Sequence, residues 1–323
     1  MTPGVSLGDI GEAAARIAPH VRRTPVLELG DVLGGGYDLS LKLEHLQVTG
    51  SFKSRGAFSL LTGSPIPDVG VVAASGGNFG IAVAHAASQL GYQATVFVPG
   101  TSPAEKIDRV GAYGADVRVV PGYYDEAREE SERFAAETGA FSAHAYDQHQ
   151  VMAGQGTLAR EVEQQVHLDV VLVAVGGGGL IGGIASWLRD RAVVVAVEPE
   201  TCRSFSAALE AGHPVEVEVS GVAASSLGAR SFGEHPWMAR QWIDSSVLVS
   251  DEAIVEAQRW LWSTARLVVE PAAATTIAAL RTGAFVPEGG ARVVAVLSGA
   301  NVDPGTVACS LAWNGTGAIL NAS

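Results

Sequence analysis

The sequence predicts an α/β protein, a two-domain parallel-sheet α/β architecture. Three observations predict it. Short β-branched runs recur along the chain, alanine-rich stretches of helical length lie between them, and 323 residues are enough for two lobes. Continuous apolar strands alternating with helices mean parallel sheets covered on both faces.

The elements follow in order. Residues 69–74 read as a buried strand and 81–90 as a helix. Residues 94–98 form the next strand, before a helix over 103–113 with Pro103 in its first turn, where a missing N–H leaves no bond unmade. A strand resumes at 116–120, and 125–138 is a charged amphipathic helix. The cycle repeats as strand 170–175, helix 181–188 and strand 193–197, and a last strand spans 292–297. No repeat of solenoid period and no low-complexity linker interrupts the pattern.

Composition narrows the function classes. Hydrophobic residues make up 47% and charged residues 17%, the balance of a globular chain. A formal net charge of −13 argues against nucleic acid or an anionic membrane as partner, so an anionic ligand must be held by local donors. Cys202 and Cys309 form no ligand-spaced cluster, which suits a reduced compartment. Asp9 and Glu12 stand where a signal peptide would be basic, so a cytoplasmic protein is expected. Residues 170–188 carry no charge and would pass a crude membrane filter, but glycines 176–179, 182 and 183 break them, giving strand, glycine loop and helix.

Lys53, in Ser51-Phe52-Lys53-Ser54-Arg55-Gly56-Ala57, is the strongest chemical candidate. A lysine taken alone is a solvated surface charge. Between an aromatic and a small hydroxyl, at the head of a helix-like run, it is placed instead for burial. Burial lowers an amine's pKa and frees it to attack a carbonyl as a Schiff-base former.

Two strand–glycine turn–helix units offer backbone N–H groups and a helix dipole to anions beyond strand ends. One runs through Ser75-Gly76-Gly77-Asn78-Phe79-Gly80, the other through Gly176-Gly177-Gly178-Gly179. Gly177-x-Gly179-x-x-Gly182 also matches the dinucleotide fingerprint, with Glu198 about 20 residues on as a ribose ligand. Four consecutive glycines exceed the needs of a pyrophosphate turn and suit a phosphate monoester, so the cradle ranks first and an NAD(P)-dependent oxidoreductase second. An asparagine such as Asn78 in a glycine turn is by default a tolerant left-handed residue; its functional reading is an amide that bonds a ring hydroxyl. Ser298, in Leu297-Ser298-Gly299-Ala300-Asn301, is by default a capping hydroxyl in a turn, and its place after the last strand also allows it to meet a ligand.

Lys42-Leu43-Glu44-His45-Leu46-Gln47-Val48-Thr49-Gly50-Ser51-Phe52-Lys53 resembles the cofactor-lysine motif of the serine/threonine dehydratases (ammonia-lyases) and serine racemases. These are pyridoxal-phosphate enzymes of fold type II, the tryptophan-synthase-β-like fold. The order of the other segments is similar across nearly the whole chain: 75–80, Ala153-Gly154-Gln155-Gly156-Thr157, the glycine run, Val197-Glu198-Pro199, Val269-Glu270-Pro271 and 298–301. The resemblance implies that pyridoxal 5'-phosphate is the cofactor and that its aldehyde joins Lys53. Gly176, Gly177, Gly178, Gly179 and Leu180 would bind its phosphate, Asn78 its ring hydroxyl and Ser298 its ring nitrogen, with Glu270 framing the ring face. Ser75, Gly76, Gly77, Asn78 and Phe79 would hold the substrate carboxylate. A neutral serine at the ring nitrogen makes a weaker electron sink and favours prompt elimination.

The implied activity is dehydration and deamination of a small 3-hydroxy amino acid, L-threonine or L-serine, to a 2-oxo acid and ammonia. A 3-hydroxyaspartate or bulkier β-hydroxy amino acid lyase, a racemase and a β-replacement enzyme are alternatives, and a non-catalytic relative would have lost Lys53. Gly76 stands where the racemases carry a proton-donating serine, which sets racemisation below elimination. Phe79 replaces a family histidine. Ser204 replaces a carboxylate that helps hold a divalent cation in some relatives; Glu198 remains, and no metal is expected. Arg230 reads equally as a lining of the site mouth and as a surface charge. The resemblance further implies a homodimer, a large cofactor-binding domain over 1–69 and 148–323, and a small mobile domain over 70–147. No regulatory domain is expected after the last strand, and the tail with Cys309 and Trp313 carries no assigned chemistry.

Overall fold

The structure, a computed structural model, describes residues 4–303 except Pro103, Tyr123 and the side chain of Glu105. Helix α1 (Leu7–Ile17) opens the chain behind a capping box, in which Ser6 and Asp9 satisfy each other's backbone N–H groups. Strands β1 (Val26–Gly30) and β2 (Asp38–Lys42) then pair antiparallel. Helix α2 (Lys53–Thr62) follows.

The next six elements alternate regularly: β3 (Val71–Ala74), α3 (Asn78–Leu90), β4 (Ala94–Pro99), α4 (Ala104–Ala112), β5 (Asp116–Val120) and α5 (Tyr124–Thr138). Strand β6 (Phe141–Ala143) closes a four-stranded parallel sheet of order β5-β4-β3-β6. Helix α6 (His149–Glu163) leads back, followed by β7 (Val170–Ala174), α7 (Gly179–Leu188), β8 (Val193–Pro199) and α8 (Ser204–Ala211). Short helices α9 (Ala224–Leu227) and α10 (Glu234–Trp237) precede β9 (Ser245–Val249), α11 (Asp251–Ala265), α12 (Pro271–Thr282) and β10 (Arg292–Val296). The second sheet has six strands, in the order β1-β2-β10-β7-β8-β9.

Strand periodicity explains the layering. Leu172, Val195, Val197, Val293 and Ala295 face α11 and α12, while their neighbours Val171, Val173, Val194, Ala196, Val294 and Val296 face α1, α6 and α7. Both faces are covered, which is why β7 shows no polar residue. In the smaller sheet Val71 and Ala73 pack toward α2 and α3, and Val72 and Phe97 toward α5.

The strands expected from sequence are present within a residue or two, and α3 and α7 begin earlier than expected, at Asn78 and Gly179. Two findings depart from an all-parallel reading. The β1–β2 pair is antiparallel, and β1, β2, β6 and β9 are strands that apolar runs did not disclose. Residues 170–188 divide into β7, the glycine loop and α7, and no described helix is long and apolar enough to cross a membrane.

Helix α2 is anchored by a buried charge cluster. Arg55 donates from Nε to Glu44 Oε2 at 2.8 Å and from Nη2 to Glu44 Oε1 at 2.7 Å and Glu161 Oε2 at 3.0 Å. Lys42 donates to Glu161 Oε1 at 2.5 Å, the Thr24 carbonyl at 2.7 Å and Gln165 Oε1 at 2.8 Å. Burial opposes ionisation of Glu44, but the Arg55 guanidinium wins and holds its carboxyl below the usual range. Lys42 shows the opposite balance: burial lowers its pKa despite Glu161 and Glu44. Removing one partner strands a buried charge, which costs about 3 kcal/mol or more. Arg55→Met is therefore expected to lower unfolding free energy by about 3 kcal/mol in urea titrations; an unchanged midpoint would show that the cluster does not anchor α2.

Candidate active site

Lys53 is the first residue of α2, and main-chain pairing sets its position. Beyond the β2–β10 ladder the two chains stay together: His45 N donates to Leu297 O at 2.9 Å, Phe52 N to Ser298 O at 3.0 Å and Ala300 N to Gly50 O at 2.9 Å. This track brings Lys53 and Ser298 to one pocket across most of the sequence. Lys53 Nζ donates to Ala145 O at 2.9 Å and lies 5.1 Å from the Phe52 ring centroid and 5.8 Å from that of Phe79. The side chain is half-buried by accessible surface, and it lines the pocket. Among these dense apolar neighbours, burial pushes the amine down to about 8 from its ordinary 10.5, opposed by Glu270.

The glycine run forms the opposite wall, and packing explains its composition. Gly178 has φ +93°, where a side chain is strained, and a Cβ there would run into the Phe232 ring. A Cβ on Gly177 would run into the Tyr146 ring, and one on Gly179 would come within 2.9 Å of Tyr146 Cα. Gly177 and Gly178 lie just ahead of α7, so free N–H groups and the positive end of the helix dipole face the pocket together. Ser204 Oγ donates to Gly176 O at 2.7 Å, pinning the start of the loop. Thus the serine in the expected cation position serves the glycine turn.

Asn78 and Glu270 share the third wall. Asn78 Nδ2 donates to Glu270 Oε1 at 2.9 Å and Oε2 at 3.2 Å. Glu270 is only 3% exposed, and burial raises its pKa against the pull of Lys106, Asn78, Ser226 and Lys53. Its main chain is fixed by Glu270 N donating to Gly299 O at 3.1 Å.

The pocket therefore gathers Lys53, Asn78, Gly176, Gly177, Gly178, Gly179, Leu180, Glu270 and Ser298. Ser75, Gly76, Gly77 and Phe79 are not among its lining residues. Ser75 Oγ accepts from Gly77 N at 3.3 Å, Phe79 is buried beside Lys53, and the Ser102 side chain fills the space into which a side chain at Gly76 would project. Arg230 is half-exposed, bonded to Asp125 Oδ2 at 2.6 Å and outside the lining. Glu198 is taken: one oxygen accepts from Phe205 N at 2.7 Å, the other from Ser206 N at 2.9 Å and Ser206 Oγ at 2.6 Å. It caps α8 and has no oxygen turned to a ribose. Among the described residues no cluster of three or more acidic, histidine or cysteine side chains could hold a metal. The tail with Cys309 and Trp313 lies outside the described residues.

Sequence reasoning missed Tyr146, Ser226, Leu227 and Ala272 in the lining. Tyr146 sits in a short polar segment after β6, where nothing local marks it as the residue that covers the glycine loop.

A buried, easily deprotonated amine opposite a helix-terminal glycine cradle fits a ligand carrying both an aldehyde and a phosphate. Tyr146, packed on the bare faces of Gly177 and Gly179, leaves the cradle's N–H groups open to the pocket. A sequence profile described as "Pyridoxal-phosphate dependent enzyme" matches residues 17–299. A putative threonine dehydratase of Sinorhizobium fredii (strain NBRC 101917 / NGR234) is 38% identical over 311 residues, 93% of either chain. The L-threonine dehydratase catabolic TdcB of Staphylococcus aureus (strain USA300) is 35% identical, covering 93% of this chain and 90% of its own. Among solved structures, maize serine racemase superposes with a TM-score of 0.90 at 31% identity, over 95% of this chain and 97% of the racemase. The threonine deaminase of T.th. superposes at 0.86 and 38% identity, over 92% of this chain and 99% of the deaminase. The chain belongs to the pyridoxal-phosphate dependent enzymes of fold type II, in the branch that holds the threonine dehydratases, and pyridoxal phosphate is its cofactor.

Proposed function

We propose that this enzyme is an ammonia-lyase that converts a small 3-hydroxy amino acid, L-threonine or L-serine, to a 2-oxo acid and ammonia. The observation that carries the reading is the Lys53 amine, buried, lowered to about 8, and facing a glycine cradle in one pocket with a neutral serine. The similar dehydratases and the deaminase are named for threonine chemistry, which supports the choice of substrate.

When bound, pyridoxal phosphate supplies the electron sink that makes the substrate's Cα proton acidic. The N–H groups of Gly176 to Gly179, with Leu180, hold its phosphate at the N-terminus of α7. Asn78 would stand at the ring hydroxyl, Ser298 would meet the ring nitrogen without charge, and Glu270 would frame the ring. Lys53 would take the Cα proton at Nζ, a role that its burial-lowered pKa favours. The Cβ–O bond would break and the hydroxyl leave as water with the proton that Lys53 carried, and the unsaturated amine so released would hydrolyse to 2-oxo acid and ammonia. Residues Ser75 to Phe79 present the head of α3 to the substrate carboxylate.

The small domain over 70–147 moves against the large one over 1–69 and 148–323 in this reading; its support is that one separate sheet is built wholly within the smaller range. A cytoplasmic homodimer completes the proposal, with sedimentation as its check. Racemisation is the second reading, motivated by the high superposition on the maize racemase. At Gly76 no side chain can donate a proton to the opposite face.

Three measurements decide these points. The purified enzyme should show a visible absorption band that borohydride abolishes and Lys53→Ala lacks, with 2-oxo acid released from L-threonine or L-serine; appearance of D-serine from L-serine, without 2-oxo acid, would favour the racemase. Gly177→Ala must displace Tyr146, and should weaken pyridoxal-phosphate affinity by more than about tenfold, or about 1.4 kcal/mol; unchanged affinity would remove the glycine run from the phosphate. The sign for Lys53 is that of a depressed base, neutral and reactive above its lowered pKa. In cofactor-free protein, acylation of Lys53 by an amine reagent should therefore rise through about pH 8; a midpoint near 10.5 would mean an ordinary solvated lysine.

A further inference from the structure

Helix α4 belongs to the smaller sheet, yet its face toward the larger one carries two cations one turn apart, Lys106 and Arg109. Arg109 does not line the pocket. Its Nη1 donates to Asn301 Oδ1 at 2.5 Å, and its Nη2 reaches the Thr49 carbonyl at 3.5 Å. Asn301 Nδ2 donates in turn to Asn78 Oδ1 at 2.8 Å and to Thr49 O at 2.9 Å. Asn78 Nδ2 completes the chain on both oxygens of Glu270. Asn301, Asn78 and Glu270 are 5%, 8% and 3% exposed, so water does not compete for these bonds.

The chain has a forced polarity. A guanidinium can only donate, so the Asn301 atom facing it must be oxygen. The Asn301 amide nitrogen then faces Asn78, which must answer with its own oxygen and leave its NH2 group for the carboxylate. An asparagine can otherwise present either end, and a buried carboxyl that picks up a proton could itself donate to the Asn78 oxygen. The cation on Asn301 Oδ1 and the Thr49 carbonyl on its Nδ2, which can only accept, together remove that choice. Gly50 keeps the passage narrow, since a Cβ there would collide with Asn301 Oδ1.

We propose that Arg109 is a positioning residue for the active site: through Asn301 it fixes which end of the Asn78 amide faces the pocket wall, so that seating α4 completes that wall. The proposal rests on the reading above in which Asn78 meets the bound cofactor. It makes the approach of the smaller sheet and the orientation of an active-site amide one event. The guanidinium acts at a distance and touches neither substrate nor cofactor.

The test uses the full-length holoenzyme and its Arg109→Gln, Arg109→Lys and Asn301→Asp variants. Pyridoxal-phosphate affinity is measured by titrating cofactor back into stripped protein, kcat and KM with L-threonine, and folding by urea midpoint. Arg109→Gln should weaken cofactor affinity and lower kcat about tenfold each, with KM moving much less. Arg109→Lys still donates to Asn301 and should recover most of both. Asn301→Asp keeps an ion pair with Arg109 but cannot donate to Asn78, so it should resemble Arg109→Gln while staying folded. Parent-like affinity and kcat in Arg109→Gln and Asn301→Asp would overturn the proposal, as would an Arg109→Lys as impaired as the glutamine variant. Should Arg109→Gln not fold, Arg109→Lys and Asn301→Asp decide by the same two readouts. A parent protein that takes up no pyridoxal phosphate would bring down the functional reading itself; a normal parent beside unaffected variants brings down the Arg109 role alone.

Discussion

The geometry of the site hangs on the buried charges beneath α2. Lys53 can work only if the helix that begins with it is held still, and Arg55, two residues on, is clamped by Glu44 and Glu161. Glu161 also takes Lys42, the last residue of β2, so one carboxylate joins a strand end, α2 and α6. Such a cluster adds little net stability compared with a well-packed apolar core. Its effect is geometric, because ion pairs with satisfied hydrogen bonds tolerate less displacement than methyl contacts. The other ion pairs among the described residues are mostly exposed and place no such clamp on α2.

With α2 held, the β2–β10 ladder and its irregular extension set which residues share the pocket. Main-chain bonds from His45 to Ala300 zip residues 42–52 against 297–300, delivering an amine and a serine hydroxyl to the same space. The opposite wall is made by a subtraction: glycines where Tyr146 and Phe232 leave no room for Cβ atoms. Burial of the amine and exposure of backbone N–H groups are thus two results of the same close packing. The first lowers a pKa, and the second leaves the start of α7 open to the pocket in a chain whose net charge is −13.

The smaller sheet shares an apolar core with α2, where Ala57, Phe58, Leu60 and Leu61 pack with Val71, Ala73 and Val83, and polar contacts add to it. Arg109 reaches Asn301, Asn78 reaches Glu270, and Lys53 reaches Ala145 on the segment that returns from β6.

Much of the fold was legible because fully buried parallel strands must be apolar at every position. Strands such as β7 and β8 are buried almost throughout, and their valine-rich runs stand out. Strands β1 and β2 did not stand out, since they are antiparallel, partly exposed and alternate polar with apolar residues. Lys53 and the four glycines were legible for the same local reason: a special residue type in a contiguous motif. Tyr146, Ser226 and the Arg109–Asn301–Asn78–Glu270 chain were not, because ordinary residues gain their roles only from neighbours distant in sequence. Glu198 shows the reverse. A fitting position in a dinucleotide pattern was outweighed by three donors from α8 that occupy its oxygens. Sequence by itself pointed to the α/β class, to the amine of Lys53 and to the glycine turn, each written in contiguous residues. Tertiary structure alone decided which oxygen meets which donor, because hydrogen bonds depend on ångström distances between segments that no local pattern encodes.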